Sequence, residues 1–422
     1  MLAFGFVITH QYSCILPVML SAETKRGMRQ NIRLFGVYKI FTKRVFLPLT
    51  SIYASQAAGL SIGSISLIAA SASAVSLLFE SATGYWADVH GRRKSAQVGA
   101  FLAGLGTAFY IIAPDFTGIM AASITIAIGY SFLSGAMEAL IHDSLVVLED
   151  EKSYAKVASR AQSLSLVVNA AFIAVVPLLY PIDKRLPFVA GVVAYIILFS
   201  LASLLTEPPI THDPSTREKN FKSTVRKILT RQTLLFFVCA GFMYSVISGI
   251  TDVFNLSFVK LGLRPEQIGF VFSGASLLGA LIGLQIHQLK RLSFKTYALL
   301  DVVINMGMFI AFGLIRTLPL AIGAFAINMA MWRYQKIMYQ HYVLELYGKQ
   351  RYKATLLSLI SNFGLLHEIW LALLFGRLAN HIGLLPALSY GVPMMLAFLP
   401  VFMVSISKLT ASARSGSSPS SQ

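Results

Sequence analysis

The chain has 422 residues, 56% of them hydrophobic and only 13% charged, with a mean hydropathy of +0.68. A water-soluble domain carries about 25% charged residues, so too little polar surface exists here to coat a water-facing globule. The net charge of +17 would point to nucleic acid in a soluble chain, but the Lys and Arg residues fall in short loops between apolar stretches. Membrane topology accounts for them, and no nucleic-acid partner is expected.

Taken in order, residues 1–30 form an N-terminal extension. Met1 to Leu20 is apolar enough to enter a membrane, yet it lacks a basic n-region, and Leu20-Ser21-Ala22 is a poor cleavage site. Two readings stand: Met28 is the functional start, or the extension is a real additional segment. Six apolar spans follow in 31–206, at roughly 34–57, 63–86, 96–113, 117–140, 161–181 and 186–205. A polar linker occupies 207–232, and six more spans fill 233–407, at roughly 233–259, 267–287, 297–315, 318–339, 355–377 and 384–406. Each approaches the ~20 residues that cross a bilayer as a helix. The runs are continuous rather than alternating, which excludes a barrel. The fold class expected is therefore an all-α membrane protein of twelve transmembrane helices in two six-helix halves. The Ser-rich tail, 408–422, reads as disordered.

Loop charges orient the chain. One set holds Lys25, Arg26, Arg29 and Arg33; Arg92, Arg93 and Lys94; Lys152, Lys156 and Arg160; Arg217, Lys219, Lys222, Arg226, Lys227 and Arg231 of the linker; Lys290, Arg291 and Lys295; Lys349, Arg351 and Lys353; and Lys408 and Arg414. The opposite set holds Lys184, Arg185, Lys260, Arg264 and Arg316, with Arg377 at a span end. The positive-inside rule places both termini in the cytoplasm of a cell-membrane protein. Within the linker, Phe221 to Leu229 reads either as an amphipathic helix on the inner leaflet or as a solvated basic loop. The halves also look like weak repeats. Gly59-Leu60 and Ile65 line up with Gly262-Leu263 and Ile268 at an offset of 203. Two cysteines, Cys14 and Cys239, lie in apolar stretches, and no metal motif or cofactor is expected.

After the second span comes Gly84-Tyr-Trp-Ala-Asp-Val-His-Gly-Arg-Arg-Lys94. It resembles the loop between helices 2 and 3 of the major facilitator superfamily, G-x-L-A-D-R-x-G-R-[KR]. Gly84, Ala87, Asp88, Gly91, Arg92 and Arg93 match, while Trp86 and Val89 depart from it. Gly84 allows close helix approach, and Gly91 permits a tight turn. The resemblance implies a cytoplasmic latch that joins the halves and breaks as they rock. Phe79-Glu80 with Thr83-Gly84 resembles the F-E-x-P-T-G lead-in of bacterial members. Ser134-Gly135 through Glu138-Ala139 and Asp143-Ser144-Leu145 resembles a bacterial exporter branch. Lys353-Ala354-Thr355 with Ser358 resembles the start of helix 11. The second-half copy of the signature loop, near Gln288 to Lys295, is degenerate. The fifth span has no G-x-x-x-G-P-x-x-G-G run, so the sequence does not by itself argue for antiport.

Polar residues inside the spans are the site candidates, because a charge at the bilayer centre costs about 2.5–3.5 kcal/mol and usually faces a cavity or a partner. They are Lys39, Lys43 and Arg44 in span 1, Glu80 in span 2, and Glu138 in span 4. The second half adds Asp252 and Asn255 in span 7, Asp301 in span 9, Arg333 and Lys336 in span 10, and His367 and Glu368 in span 11. Glu80, Gly84 and Asp88 share a helical face, which draws Glu80 toward the latch. Ser131, Gly135, Glu138 and His142 share a face of span 4, and Glu138 reads as a salt-bridge or a substrate residue. Lys39 and Lys43 either snorkel to the cytoplasmic surface or pair with an acidic residue, or they line a cavity and attract an anionic group. Asp301 is expected to pair with a loop or helix-end charge. His367-Glu368 is a candidate proton relay, with a histidine satisfied by a backbone carbonyl as the alternative.

These readings converge on a monomeric transporter working by alternating access on a small-molecule substrate with protons, embedded in lipid, with helices 1, 4, 7 and 10 lining the cavity. Proton-coupled export is the expected activity, its direction following the exporter resemblance. The alternative is import of an anionic metabolite or siderophore. A membrane sensor or membrane-embedded enzyme is the competing class, and the sequence offers it no nucleotide loop, metal cluster or nucleophile–base motif.

Overall fold

The computed structural model of the chain describes residues 21–209, 231–347 and 353–414. Most of the extension, most of the linker with its segment 221–229, and the end of the tail lie outside the described residues. Among the described residues every regular element is helical.

Twelve helical segments succeed one another. Helix α1 runs Ala22–Phe41 and resumes at Thr50–Gln56. It is followed by α2 (Ile62–His90), α3 (Arg92–Ile112), α4 (Phe116–Leu133 and Ala136–Val147), α5 (Tyr154–Val175) and α6 (Leu186–Ser203). The second half comprises α7 (Arg231–Ser245 and Thr251–Lys260), α8 (Ile268–Leu284), α9 (Phe294–Phe309), α10 (Leu318–Tyr347), α11 (Lys353–Ile382) and α12 (Leu384–Ser389 and Gly391–Arg414). Among the described residues, nine helices are long and apolar enough to cross a bilayer, and α7, bent by 46°, makes a tenth. α1 and α10 have the length but carry charges mid-helix, and they complete the twelve expected.

Local chemistry sets the boundaries. Ser21 caps α1 by accepting from the Thr24 N–H at 3.1 Å. Ser61 caps α2 and Asp115 caps α4 in the same way, each satisfying an orphan donor of the first turn. Gly91 ends α2 and starts α3 at φ 101°, a conformation that only glycine adopts without a Cβ clash. Several helices overrun the apolar window. α1 begins at Ala22 rather than near residue 34, and α4 continues to Val147 rather than 140. Hydropathy registers only the lipid-facing part of a helix, whereas hydrogen bonding continues it past the bilayer. The boundary expected after residue 30 is therefore no structural break. Met28 and Asn31 are fully buried inside α1. The Asn31 amide donates to Ser144 Oγ and Thr206 O, and its Oδ1 accepts from Thr206 N, all within 2.9 Å.

Each half packs closely. In the first, α3 crosses α4 at glycines. A Cβ on Gly129 would sit 2.8 Å from Ala103 N, and one on Gly99 would sit 2.8 Å from Gly129 O. Such small-residue crossings let backbones approach in a membrane, where no hydrophobic drive joins helices. The repeat is structural as well. The first helix of each half breaks near its middle, at 42–49 in α1 and 246–250 in α7. The glycines ending them, Gly59 and Gly262, both take positive φ.

The halves meet chiefly along two helix pairs, α2 with α11 and α5 with α8, and also where the second part of α7 packs on the second part of α1 and on α2. Gly63 N donates to Asn380 Oδ1 at 3.1 Å, Ser66 fills the space beside Gly376, and Gly269 packs on the Ile173 carbonyl and Pro177. These contacts lie toward the face opposite the basic loops. At the basic face nothing among the described residues lies within 4 Å of a Cβ built on Gly84, and Glu80 is exposed.

The α3–α4 crossing should tolerate no added carbon. We expect Gly129→Ala to destabilise the first half by about 1–3 kcal/mol through overpacking, read as a lowered melting temperature of the detergent-solubilised protein. Gly274→Ala, where nothing lies within 4 Å, should leave melting unchanged. Equal melting of both variants would refute the tight crossing.

Candidate functional site

The break in α1 places three cations deep inside the molecule. Lys39 makes an ion pair with Glu138 at the start of the second part of α4. Lys43 lies in the unwound segment, exposed, among the charges of Lys39, Arg44, Arg333 and Glu138. Arg44 stacks its guanidinium over the Tyr130 ring at 4.7 Å. Tyr130 in turn donates to Thr42 O at 2.6 Å and meets Tyr195 OH at 3.0 Å. Lys39 meets the expectation of pairing with an acid, its partner being Glu138; Lys43 makes no ion pair among the described residues.

Glu138 makes the salt bridge of its first reading, with Lys39, and its side chain stays 39% exposed. The continuous face expected from Ser131 to His142 is interrupted, because Gly135 adopts a left-handed conformation at φ 74° and breaks α4. Ser131 bonds back to Ala127 O, and His142 lies 3.6 Å from Asp143.

In the second half Asp252 is half-buried, beside Ser51 of α1 and within the field of Arg44. Asn255 is fully buried, its Oδ1 unpartnered among the described residues. Arg333, near the middle of α10, is exposed and donates to Ser276 Oγ of α8 at 2.5 Å. Beside it the Trp332 and Tyr244 rings stack at 6.2 Å. The Lys336 side chain lies outside the described residues.

His367 and Glu368 part company. The His367 Nδ1 accepts from Trp370 Nε1 at 2.7 Å, so its Nε2 carries the hydrogen shared with Val238 O at 3.0 Å. The ring is satisfied within the second half, as the alternative reading had it. Neighbours on a helix diverge by about 100°, and Glu368 faces the other half. Its Oε1 accepts from Ser248 of α7 at 2.6 Å, and its Oε2 accepts from Ser73 of α2 at 3.1 Å. No relay joins the two.

Asp301 corrects a further expectation. It is buried, and it accepts from Tyr339 at 2.5 Å, Gln335 at 2.7 Å and Asn305 at 3.1 Å, neutral donors inside the second half rather than a helix-end charge. Sequence reasoning did not identify those donors, nor Ser73, Ser248 and Ser276. Their only signal is a hydroxyl or amide in an apolar helix, which most often bonds its own backbone.

At the signature loop, Asp88 lies 3.8 Å from Arg92, and Arg92 pairs with Asp143. Glu207 accepts from the Arg92 and Arg93 N–H groups at 2.7 Å each, a carboxylate at a helix N-terminus. Arg93 Nη2 donates to Ser203 O at 2.7 Å. All of these partners belong to the first half. Among the described residues no atom lies within 4 Å of a Cβ built on Gly84.

The Major Facilitator Superfamily profile matches residues 36–366. An uncharacterized MFS-type transporter, YxaM of Bacillus subtilis (strain 168), is 25% identical over 352 residues, covering 81% of this chain and 86% of the relative. Among solved structures, the nucleoside transporter NupG superposes with a TM-score of 0.72 at 11% identity, covering 90% of this chain and 99% of its own. A bacterial homologue of the human lysosomal transporter Spinster, inward-facing and unoccupied, gives 0.67 at 15%, covering 93% and 98%. A bacterial homologue of the human peptide transporters PepT1 and PepT2 gives 0.66 at 12%, covering 92% and 99%. The profile spans most of the chain, and the structural likeness extends over both halves, so this multi-pass membrane protein belongs to the major facilitator superfamily, whose members are transporters and not enzymes.

Proposed function

We propose that the protein moves a small organic solute by proton-coupled alternating access, exporting it from the cell as a monomer in the inner or plasma membrane. The observation that carries the reading is Glu368. It is one carboxylate on α11 holding hydroxyl donors from both halves, Ser248 and Ser73. A deprotonated carboxylate accepts both bonds, whereas a protonated one loses an acceptor site and gains a donor. Proton occupancy at Glu368 therefore changes the contact that joins the halves, and the rocking equilibrium is biased by that difference.

The signature loop fits a complementary role. Its ion pairs and the Glu207 cap tie α2, α3, α4 and α6 together at the basic face, so that the first half turns as one body. Glu80 and Gly84 remain open for the second half in the alternate state. The basic loops support a cytoplasmic position for that face and for both termini. On that orientation the conformation described is open inward. Outward movement follows the sequence resemblance to bacterial exporters. Import is the second reading, favoured by the basic lining contributed by α1 and α10.

Three measurements test this. In proteoliposomes loaded with a pH-sensitive dye and offered nucleosides, dipeptides and small organic acids, Glu368→Gln should abolish solute-linked proton movement while solute exchange persists. Solute entry with luminal alkalinisation indicates antiport, and acidification indicates symport. Unchanged proton coupling in the variant would remove Glu368 from the role. Asp88→Asn should slow transport about tenfold, a barrier rise of roughly 1.4 kcal/mol, with solute affinity retained; a wild-type rate would unseat the latch. An impermeant maleimide should label Lys184→Cys in intact cells and Lys94→Cys only after permeabilisation, and the reverse pattern would invert the orientation.

A further inference from the structure

The cations around the cavity are unevenly partnered. Four described cations gather there: Lys39, Lys43, Arg44 and Arg333. The acids are Glu138, Asp252 and Glu368, with Glu80, whose charge reaches Tyr244. Lys39 is engaged by Glu138. Arg44 is held on the Tyr130 ring, and its charge acts on both Asp252 and Glu368. That leaves Lys43 and Arg333. The charges acting on Lys43 are three cations and the already engaged Glu138. Arg333 has only the Ser276 hydroxyl and no carboxylate among the described residues.

Both side chains are exposed, although each belongs to a mid-helix position. Exposure at that depth means exposure to the cavity or its mouth. They come from opposite halves, Lys43 from the break in α1 and Arg333 from α10, and they are near enough for Arg333 to bear on the Lys43 charge. Two unneutralised cations facing one water-filled space repel each other, and an anion between them removes the repulsion. An arginine presents a planar fork that matches carboxylate and phosphate oxygens, and a lysine adds a mobile point charge.

We propose that Lys43 and Arg333 form a two-armed anion site bridging the halves, and that the substrate is an organic anion bearing a carboxylate or phosphate group. The inference rests on the transporter reading and names its substrate class, independent of direction. The Ser276 hydroxyl, already on Arg333, orients the fork. The Tyr244–Trp332 stack gives the organic body of the ligand an apolar wall beside Arg333. Because the arms belong to different halves, the bound anion draws the halves together, which is the differential interaction that a rocking mechanism requires.

The test uses the full-length chain in lipid nanodiscs, titrated with benzoate, citrate, phenyl phosphate and inorganic phosphate, and with benzamide as the neutral counterpart of benzoate. Binding is read by thermal shift and by tryptophan fluorescence. At least one organic anion should bind, benzamide should not, and Lys43→Gln and Arg333→Gln should each weaken that anion's affinity about tenfold or more. The charge-conserving Lys43→Arg and Arg333→Lys variants should retain most of the affinity, which separates loss of charge from loss of fold. The carboxylate and phosphate arms show which group is recognised. Binding of none of the anions, equal binding of benzamide and benzoate, or unchanged affinity in both glutamine variants would overturn the anion site. Proton-coupled movement of a neutral or cationic solute by both glutamine variants would keep the transporter reading and defeat this one. Anion binding with no translocation in proteoliposomes would do the opposite.

Discussion

The break in the first helix of each half is the feature on which the interior depends. A helix that unwinds inside a bilayer frees backbone carbonyls that lipid cannot satisfy, so such a break survives only where protein or cavity water supplies the missing bonds. In α1 the Lys39 carbonyl accepts from Thr42 Oγ1 and Ser165 Oγ, and the Thr42 carbonyl accepts from Tyr130. In α7 the Met243 and Tyr244 carbonyls accept from Gln335 and Trp332. In both halves the fourth helix repairs the first: Tyr130 lies on α4, and Trp332 and Gln335 lie on α10. This equivalence is stronger support for an internal repeat than any alignment of apolar residues. The same repair fixes the cavity wall, because Arg44 rides on Tyr130, and Arg333 is the residue between Trp332 and Tyr334.

The surface between the halves is built for change. Along α2 and α11 the contacts are small residues and single hydrogen bonds: Gly63 with Asn380, Ser66 with Gly376, and Ser73 with Glu368. Small residues leave little to interlock, so one helix can roll on the other without repacking large side chains. Toward the basic face no described residue approaches within 4 Å of a Cβ built on Gly84. On the proposed mechanism the pivot lies toward the opposite face, and the signature loop acts when the halves swing closed.

The architecture was legible in the sequence because it is written in the residue types that lipid demands. Long apolar windows gave the spans, the loop charges gave the faces, and Gly84 to Lys94 gave the family. The site was legible only as a set of residues. Lys39 and Glu138 were both candidates, but nothing at a separation of 99 positions says that they touch. His367 and Glu368 looked like a pair because they are adjacent, yet adjacency on a helix turns two side chains apart. Asp301 looked like an end charge because polarity near a span boundary is usual, whereas its donors come from Tyr339 and Gln335 on another helix. In each case the missing information was the rotation of one helix against its neighbour, which neither hydropathy nor spacing encodes.

The strengths of the contacts divide along the same line as the halves. Within the first half the acids are held by cations, Glu138 by Lys39 and Asp143 by Arg92. Within the second, Asp301 holds three donors drawn from α9 and α10. Bonds with an ionised partner are roughly twice as strong as neutral ones, and networks strengthen their members further. Between the halves, the described side-chain hydrogen bonds are the Ser73 hydroxyl on Glu368 and the Gly63 N–H on the Asn380 amide. The described hydrogen bonds are thus many within each half and few between them. On the proposed mechanism, a proton arriving at Glu368 acts on one of the few that join the halves.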